Sequence, residues 1–481
     1  LRIKEHPILS FERGRKVHFY FNGKKIYGYE NESIAAALIA NGITQLSKSL
    51  KYNRPRGFFC GIGKCASCRM RVDGVPNVRT CIERVREGMK VETQEPLAEL
   101  PSKEFDDKGI DTLECDVLVI GGGPAGLCAS LEASKYGADV IIVDENLRLG
   151  GQLIKQTHKF FGSRHEMAGK RGIDIARELE KEIVENRRIR VFLKSSVFGY
   201  YESDHGHLFG MAQRLDDMSE KVYKVKCKSA VIASGASENF LVFPNNDLPG
   251  VYGAGGVQTL VNVYGVLPGK KVLMVGSGNV GLIVSYQLLQ AGMEVKAVVE
   301  ALPKIGGYFV HAAKLRRFGV PIYVSHTVKE VHGEDKVEGA TIVKIDENWK
   351  EIPGTEKRID CDVVCLAVGL SPSVRVVSLT GADIRYIPEA GGYVAIHDDC
   401  METTKRGIFV AGDLSGIEEA SIAMLEGKLA GLYSAKRAGK DVDEDKANEY
   451  RKRLEELRAG PFGERGRLAK EKIGRLWREC H

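Results

Sequence analysis

The sequence predicts an α/β protein in which a small β-rich domain precedes two βαβ units, and three observations carry that expectation. The stretches "CDVLVIGGGPAG" (115–126) and "KKVLMVGSGNVG" (270–281) each run from an apolar strand into a glycine loop and a helix. Each then has a returning strand, "DVIIVDE" and "MEVKAVVE", which is the pattern of a βαβ unit. Ahead of them lie the alternating segments "VHFYFNG" and "KKIYGYE", a helical "ESIAAALIANGI" and a loop dense in cysteine, as expected of a small β domain with one helix.

At 481 residues the chain is long enough for about three domains. Hydrophobic residues at 43% and charged residues at 28% fit a globular protein in water, and no apolar run approaches the roughly 18 residues of a membrane span. The net charge of +6 is modest, and no basic stretch interleaves aromatics, so nucleic acid is not an expected partner. The amino end, "LRIKEHPILSFERGRK", lacks an apolar signal core, which predicts a cytoplasmic location.

The β-rich domain is expected over 14–98, followed by a polar, aperiodic linker over 99–112. The first βαβ unit opens a domain over 113–245, and the second occupies 246–358. The strands "DVVCLAVG" (362–369) and "GIFVAGD" (407–413) suggest that the first α/β domain resumes over 359–440, after the second has been inserted. The charged tail, 441–481, has helical spacing and reads as solvated surface helices.

Cys60, Cys65 and Cys68 are separated by four and two residues, and twelve residues separate Cys68 from Cys81. This is the plant-type [2Fe–2S] pattern, in which two irons bridged by sulfide take four thiolates, and it marks the small domain as ferredoxin-like. Gly61 and Gly63 permit the backbone angles of such a loop. Structural zinc is the rival, although zinc favours paired two-residue spacings and only Cys65 with Cys68 offers one. The other seven cysteines are scattered and read as reduced thiols. Lys48, Lys51, Arg54, Arg56, Lys64, Arg69 and Arg71 surround the loop without an intervening acid, either as a solvated face or as a charge that steers an acidic electron partner.

In the first fingerprint Gly121 makes the tight turn, Gly123 lets backbone approach a pyrophosphate and Gly126 lets helix pack on strand. Asp144, 23 positions after Gly121, can bind ribose hydroxyls. With Gly150 and Gly151 in "RLGG", and Gly412 and Asp413 in "GIFVAGD", these features resemble the FAD-binding half of glutathione-reductase-like flavoproteins with two Rossmann-like domains. That resemblance adds Pro124, Ala125, Glu145, Gln152, Val197, Ser234 and Gly235 to the expected FAD contacts. The second fingerprint offers Gly276, Gly278, Asn279, Val280 and Gly281, with Glu300 ending the next strand. A carboxylate there favours NAD over NADP, while ATP, ADP or no nucleotide stay open. "RLGGQLIKQTHKFF" has no cysteine, so no redox pair is placed for disulfide reduction, which needs thiol contact. His158, His165 and His311 read as structural hydrogen bonders.

A plant-type cluster domain joined to such a flavoprotein, together with "NNDLPGVYGAGGVQTLVN" between the fingerprints, resembles the α-subunit type of heteromeric amino-acid-oxidising enzymes. That group comprises sarcosine oxidase α, dye-linked L-proline dehydrogenase α, opine oxidase and hydrogen cyanide synthase subunits. The resemblance implies an oxidoreductase subunit that passes electrons from the flavin of a catalytic β subunit through FAD and [2Fe–2S] to a soluble acceptor. It also implies a further small iron–sulfur subunit, and it leaves open FMN at an interface with a partner. Two other readings stand beside it, a stand-alone NADH-dependent oxidoreductase and an assembly scaffold with a structural nucleotide.

Overall fold

The structure, a computed structural model, describes the chain except residues 96, 102–105, 107, 161–163, 204–205 and 481. It divides into two compact units: a cysteine-loop unit, Leu1–Glu104 with Glu238–Gly369, and a long-strand unit, Phe105–Ser237 with Leu370–His481.

In the cysteine-loop unit the strands Lys16–Phe21 and Lys24–Tyr29 form a hairpin that turns at Asn22 and Gly23, with φ of +47° and +78°. Positive φ at both central residues gives the turn whose twist matches that of the strands. Lys90–Glu92 joins this hairpin in parallel and links it to Arg69–Val72 and Val75–Arg79, completing a five-stranded sheet. The helix Ile34–Ala40 is capped by Ser33, whose Oγ accepts the Ala36 N–H at 3.2 Å. All of its residues are buried, as an unbroken run of Ala, Ile and Leu allows.

The same unit holds an all-parallel sheet in the order Val251–Gly253, Val363–Leu366, Lys271–Val275, Glu294–Glu300, Ile322–Val324. Val363–Leu366, read from sequence as the return to the first α/β domain, is instead an interior strand of this second sheet. A short strand of wholly apolar residues, buried throughout, carries no mark of which sheet it joins, and only its neighbours decide.

The long-strand unit centres on a seven-stranded sheet in the order Ile189–Phe192, Val140–Val143, Ile110–Ile120, Glu220–Ile232, Gly206–Arg214, Ser195–Ser203, with Ile408–Val410 parallel to the end of Glu220–Ile232. Ile110–Ile120 starts inside the stretch expected to be linker. Its first residues are mostly exposed and polar and only Val117–Val119 and their neighbours are fully buried, so only the second half has the sequence signature of a strand. Helix Pro124–Lys135 packs closely on Ala420–Arg437: a Cβ at Gly427 or Gly431 would lie 2.1 or 2.3 Å from the carbonyl oxygen of Ala125 or Ala129.

The tail helices Glu444–Arg458 and Glu464–Cys480 are not merely solvated. Tyr450 is buried and its hydroxyl donates to Glu132 Oε1 at 2.9 Å, while Ile473 joins Ile387, Val394 and Ile396 in a small core. One apolar residue per turn or so is enough to dock a helix that otherwise reads as charged. Among the described residues no helix is long and apolar enough to cross a membrane.

Candidate cofactor sites

The cysteine loop takes left-handed backbone at Gly61 (+66°), Gly63 (+72°) and Ala66 (+60°). The N–H of Gly63 donates to Cys81 Sγ at 3.3 Å. Cys60 contacts Cys65, Cys68 contacts Cys81, and Cys60 also reaches Cys81. Their mutual hydrogen bonding holds the Cys60 thiol well down and pushes that of Cys65 up. Thiolates this close repel one another unless cations lie among them. Among the described residues, the trio of candidate ligand atoms lying within 4.8 Å of one another is Asp398, Asp399 and Cys400, and no three of the loop's sulfurs meet that limit. A tetrahedral zinc with Zn–S bonds of about 2.3 Å would bring all its sulfurs within roughly 4 Å of each other. The sulfurs make a chain of contacts, Cys65–Cys60–Cys81–Cys68, and four clustered thiols of this spacing could hold a two-iron centre.

Two of the glycines in the first fingerprint are demanded by packing. A Cβ at Gly121 (φ +114°) would lie 2.2 Å from the Ala233 carbonyl oxygen, and one at Gly126 would lie 1.8 Å from that of Gly121. At Gly123 the nearest atom would be Gly151 Cα, 3.9 Å away, so the hollow before the helix is open. Pro124 starts that helix and Ala125 is buried in it. Open space at a helix N-terminus is what a diphosphate needs.

The remaining FAD candidates converge on the same place with few exceptions. Asp144 Oδ2 accepts the Gly122 N–H at 2.6 Å and Oδ1 accepts the Asn146 N–H at 2.7 Å; burial raises its pKa and these donors oppose the rise. The Gly150 N–H donates to the Gly122 carbonyl at 2.8 Å, and a Cβ at Gly151 would lie 2.7 Å from Gly123 Cα, so the two-glycine loop rests on the fingerprint. The Ser195 N–H donates to the Asp144 carbonyl at 2.9 Å, bringing in the strand that carries Val197 at its bulge. Ser234 Oγ donates to the Ser373 carbonyl at 2.9 Å, and Gly235 (φ +66°) faces open space. A Cβ at Gly412 would lie 3.0 Å from that of Ala125, which places the 412–413 turn against the fingerprint helix. Glu145 is half-buried, whereas Gln152 is exposed.

Sequence reasoning missed Glu426. Buried in helix Ala420–Arg437, its Oε2 accepts the Gly412 N–H at 3.0 Å and the Ser415 hydroxyl at 2.6 Å. Its Oε1 pairs with Arg458 at 2.6 Å and Lys470 at 2.7 Å, one from each tail helix. Despite burial, these cations hold the Glu426 carboxyl down to about 2. Burial and the Glu426 charge push half-buried Asp413 up to about 7. A lone acid in "ASIAMLEGKLAGL" was the available signal.

The second cradle repeats the first. A Cβ at Gly276 would lie 2.3 Å from the Ala367 carbonyl oxygen and one at Gly281 2.1 Å from that of Gly276, while Gly278 has nothing within 4 Å. Glu300 accepts the Ser277 N–H and hydroxyl at 2.9 and 2.6 Å and the Leu302 N–H at 3.0 Å. Asn279 Oδ1 accepts the Tyr308 N–H at 2.8 Å, and Val280 is exposed. Gly306 and Gly307 were missed, though they follow Glu300 at the interval by which Gly150 and Gly151 follow Asp144. The Gly307 N–H donates to the Ser277 carbonyl at 2.9 Å.

Residues 115–427 match the family model described as pyridine nucleotide-disulphide oxidoreductase. The chain belongs to that family. Its residues 14–96 match the 2Fe-2S iron-sulfur cluster binding domain. It is similar to the alpha subunit of sarcosine oxidase from Rhizobium meliloti (strain 1021), 25% identical over 86% of this chain and 45% of that one. It is also 26% identical to the HcnB subunit of hydrogen cyanide synthase from Pseudomonas protegens, over 66% of this chain and 69% of that one. The crystal structure of L-proline dehydrogenase from P. horikoshii superposes with a TM-score of 0.70 at 29% identity, covering 94% of this chain and 79% of that one. The chain spans a little under half the length of the sarcosine oxidase subunits it matches. FAD and [2Fe–2S] are thus the cofactors that both the family and the donor sets fit. Disulfide exchange needs two apposed thiols, but Cys361, just ahead of strand Val363–Leu366, and Cys365 within it are both buried, with burial raising the Cys361 thiol to about 12 and the Cys365 thiol well above its ordinary value. His311 is buried beside Tyr308 and pushed toward its neutral form. Of the basic residues near the loop, Arg54 is committed to Asp247 at 2.9 Å.

Proposed function

We propose that the chain is the electron-transferring subunit of a heteromeric dye-linked dehydrogenase for a proline- or sarcosine-like secondary amine, taking electrons from a partner β subunit's flavin and passing them through FAD and [2Fe–2S] to a soluble acceptor. One observation carries the reading: four cysteines of plant-type spacing brought together in one loop and an open FAD-type cradle at Gly123 occur in one chain. Bound together, FAD would handle electrons in pairs and the cluster singly.

In this reading Cys60, Cys65, Cys68 and Cys81 hold the cluster in a domain over about 14–98. Gly121, Gly123 and Gly126 shape the diphosphate hollow, Asp144 orients the adenosine end, and the Gly412–Asp413 turn meets the ribityl side, from two chain segments on either side of an inserted nucleotide domain. Gly276, Gly278, Gly281 and Glu300 would take NAD or another adenine nucleotide. Partners of two kinds, a catalytic β chain and a small iron–sulfur chain, belong to the same proposal, as do FMN at a subunit interface and a cytoplasmic location.

The test is anaerobic purification of the complex with every co-purifying chain identified, followed by addition of L-proline or sarcosine. Flavin bleaching that requires a β-type partner supports the reading, and a complex inert to secondary amines overturns it. The open hollow at Gly278 favours a second reading, an NADH-dependent oxidoreductase. Rapid bleaching of the isolated chain by NADH would establish that one.

A further inference from the structure

The stretch 245–263, "NNDLPGVYGAGGVQTLVNV", belongs to neither fingerprint, yet it meets the cysteine loop along the loop's whole leading edge. At one end Arg54 donates to Asp247 Oδ2 at 3.0 Å and to Asn245 Oδ1 at 2.9 Å. Next along, a Cβ at Gly57 would lie 2.9 Å from Pro249 Cα. The Gly253 N–H donates to the Phe59 carbonyl at 3.2 Å. Gly256 presses hardest: its Cβ would lie 1.9 Å from the Phe59 carbonyl oxygen and 3.3 Å from the Cys60 carbonyl carbon. Beyond the first ligand, a Cβ at Gly61 would lie 3.0 Å from that of Thr259.

The platform beneath these contacts is itself anchored. Thr259 opens a π-helical turn, Thr259–Val263, and its hydroxyl donates to the Gly255 carbonyl at 2.8 Å. The π turn directly follows the short helix Ala254–Gln258, and π turns are frequent at sites of function. Gln258 donates to buried Gln287 at 2.8 Å, tying the platform to helix Asn279–Gln290 of the second cradle. Phe59 also stacks on Phe240, with centroids 4.2 Å apart and planes 14° from parallel.

We propose that residues 245–263 of the second nucleotide-binding domain are the positioning cradle of the cluster loop, with Gly256 as the contact that sets the backbone at Phe59 and Cys60. The β-rich domain supplies the thiolates, and the neighbouring domain decides where the first of them stands. Backbone N–H groups aimed at the sulfurs tune an iron–sulfur centre, so a displaced loop changes the centre's electronic signature and not only its retention. The proposal rests on the cluster assignment given above.

The experiment compares the full chain with Gly256→Ala and with Asp247→Asn, all prepared anaerobically, by iron content, the electron paramagnetic resonance of the reduced centre and its reduction midpoint, with FAD per chain as the control. Gly256→Ala is expected to shift the midpoint and broaden the resonance, with loss of iron and unchanged FAD. Asp247→Asn, a milder change at the part-buried Arg54 end, is expected to give a smaller shift in the same direction, and it decides the matter if Gly256→Ala does not fold. Wild-type resonance and midpoint in the folded variants overturn the proposal alone. A wild-type chain that binds no iron overturns the cluster assignment and the proposal with it.

Discussion

At Gly121 and Gly276 a Cβ would meet the carbonyl oxygen of Ala233 in one unit and Ala367 in the other, at 2.2 and 2.3 Å; at Gly126 and Gly281 it would meet the first glycine's own carbonyl, while Gly123 and Gly278 face open space. In each cradle the acidic residue turns back to hold the glycine loop, Asp144 through Gly122 and Glu300 through Ser277. The cradles differ in what else reaches them. Onto the first comes the Gly412–Asp413 turn, fastened by Glu426 and the tail cations. The second is tied through Gln287 to the platform under the cysteine loop. The fingerprint thus specifies an open hollow before each helix, and other segments decide what surrounds it.

The sharpest way to break this parallel is to fill one cradle at a time. Gly126→Val puts side-chain atoms where the Gly121 carbonyl stands, and is expected to abolish FAD retention, measured by flavin absorbance per chain. Gly281→Val makes the same collision in the second cradle and is expected to leave FAD in place. Equal FAD loss from both variants would mean that the cradles are not independent.

Removing the fastening should have the next largest effect. Glu426→Gln leaves Arg458 and Lys470 without their shared carboxylate, and because both cations keep some solvent contact, the loss in unfolding free energy is expected at the low end, about 3 kcal/mol. The pH dependence separates this carboxylate from its neighbour. Held at about 2 against an ordinary 4.5, Glu426 contributes stability above pH 4.5 that is lost as pH falls through about 2. Asp413, raised from 3.8 to about 7, works the other way: its neutral form suits the fold, so stability declines as pH rises from about 4 to 7. In FAD-free protein, Asp413→Asn should flatten that decline and Glu426→Gln should flatten the acid limb, both read from thermal melts across pH.

The smallest effect on stability, and the finest test of the hollow, comes from Gly123→Ala and Gly278→Ala. Neither side chain meets a close neighbour, and Gly123 has an ordinary negative φ. FAD-free stability should therefore stay the same or rise by up to about 1 kcal/mol. FAD affinity is expected to fall in Gly123→Ala alone, measured by titration of FAD-free protein, since the added methyl occupies the diphosphate's approach.

What was legible in the sequence was whatever is encoded within one turn or one short interval. Cysteine spacing announced the loop because a compact centre must draw its ligands from neighbouring residues. Glycine spacing announced both cradles because the collisions that exclude a Cβ at Gly126 and Gly281 are with the first glycine of the same fingerprint. Long-range choices were not legible. Val363–Leu366 has no side-chain feature that names its sheet, the polar half of Ile110–Ile120 resembles a linker, and the tail's sparse apolar residues do not reveal that Tyr450 and Ile473 are buried.

By itself, then, the sequence determined the local pattern: four clustered cysteines, two glycine-lined hollows and an acid for each, since each follows from side-chain type and spacing on a single element. Only the tertiary structure decided the capture of Gly412 by Glu426 with cations from both tail helices and the seating of the cysteine loop on Gly256. These depend on contacts between separate elements, from 14 positions apart for Gly412 and Glu426 to nearly two hundred for Phe59 and Gly256, where free energy comes from packing and charge pairing that no short-range pattern records.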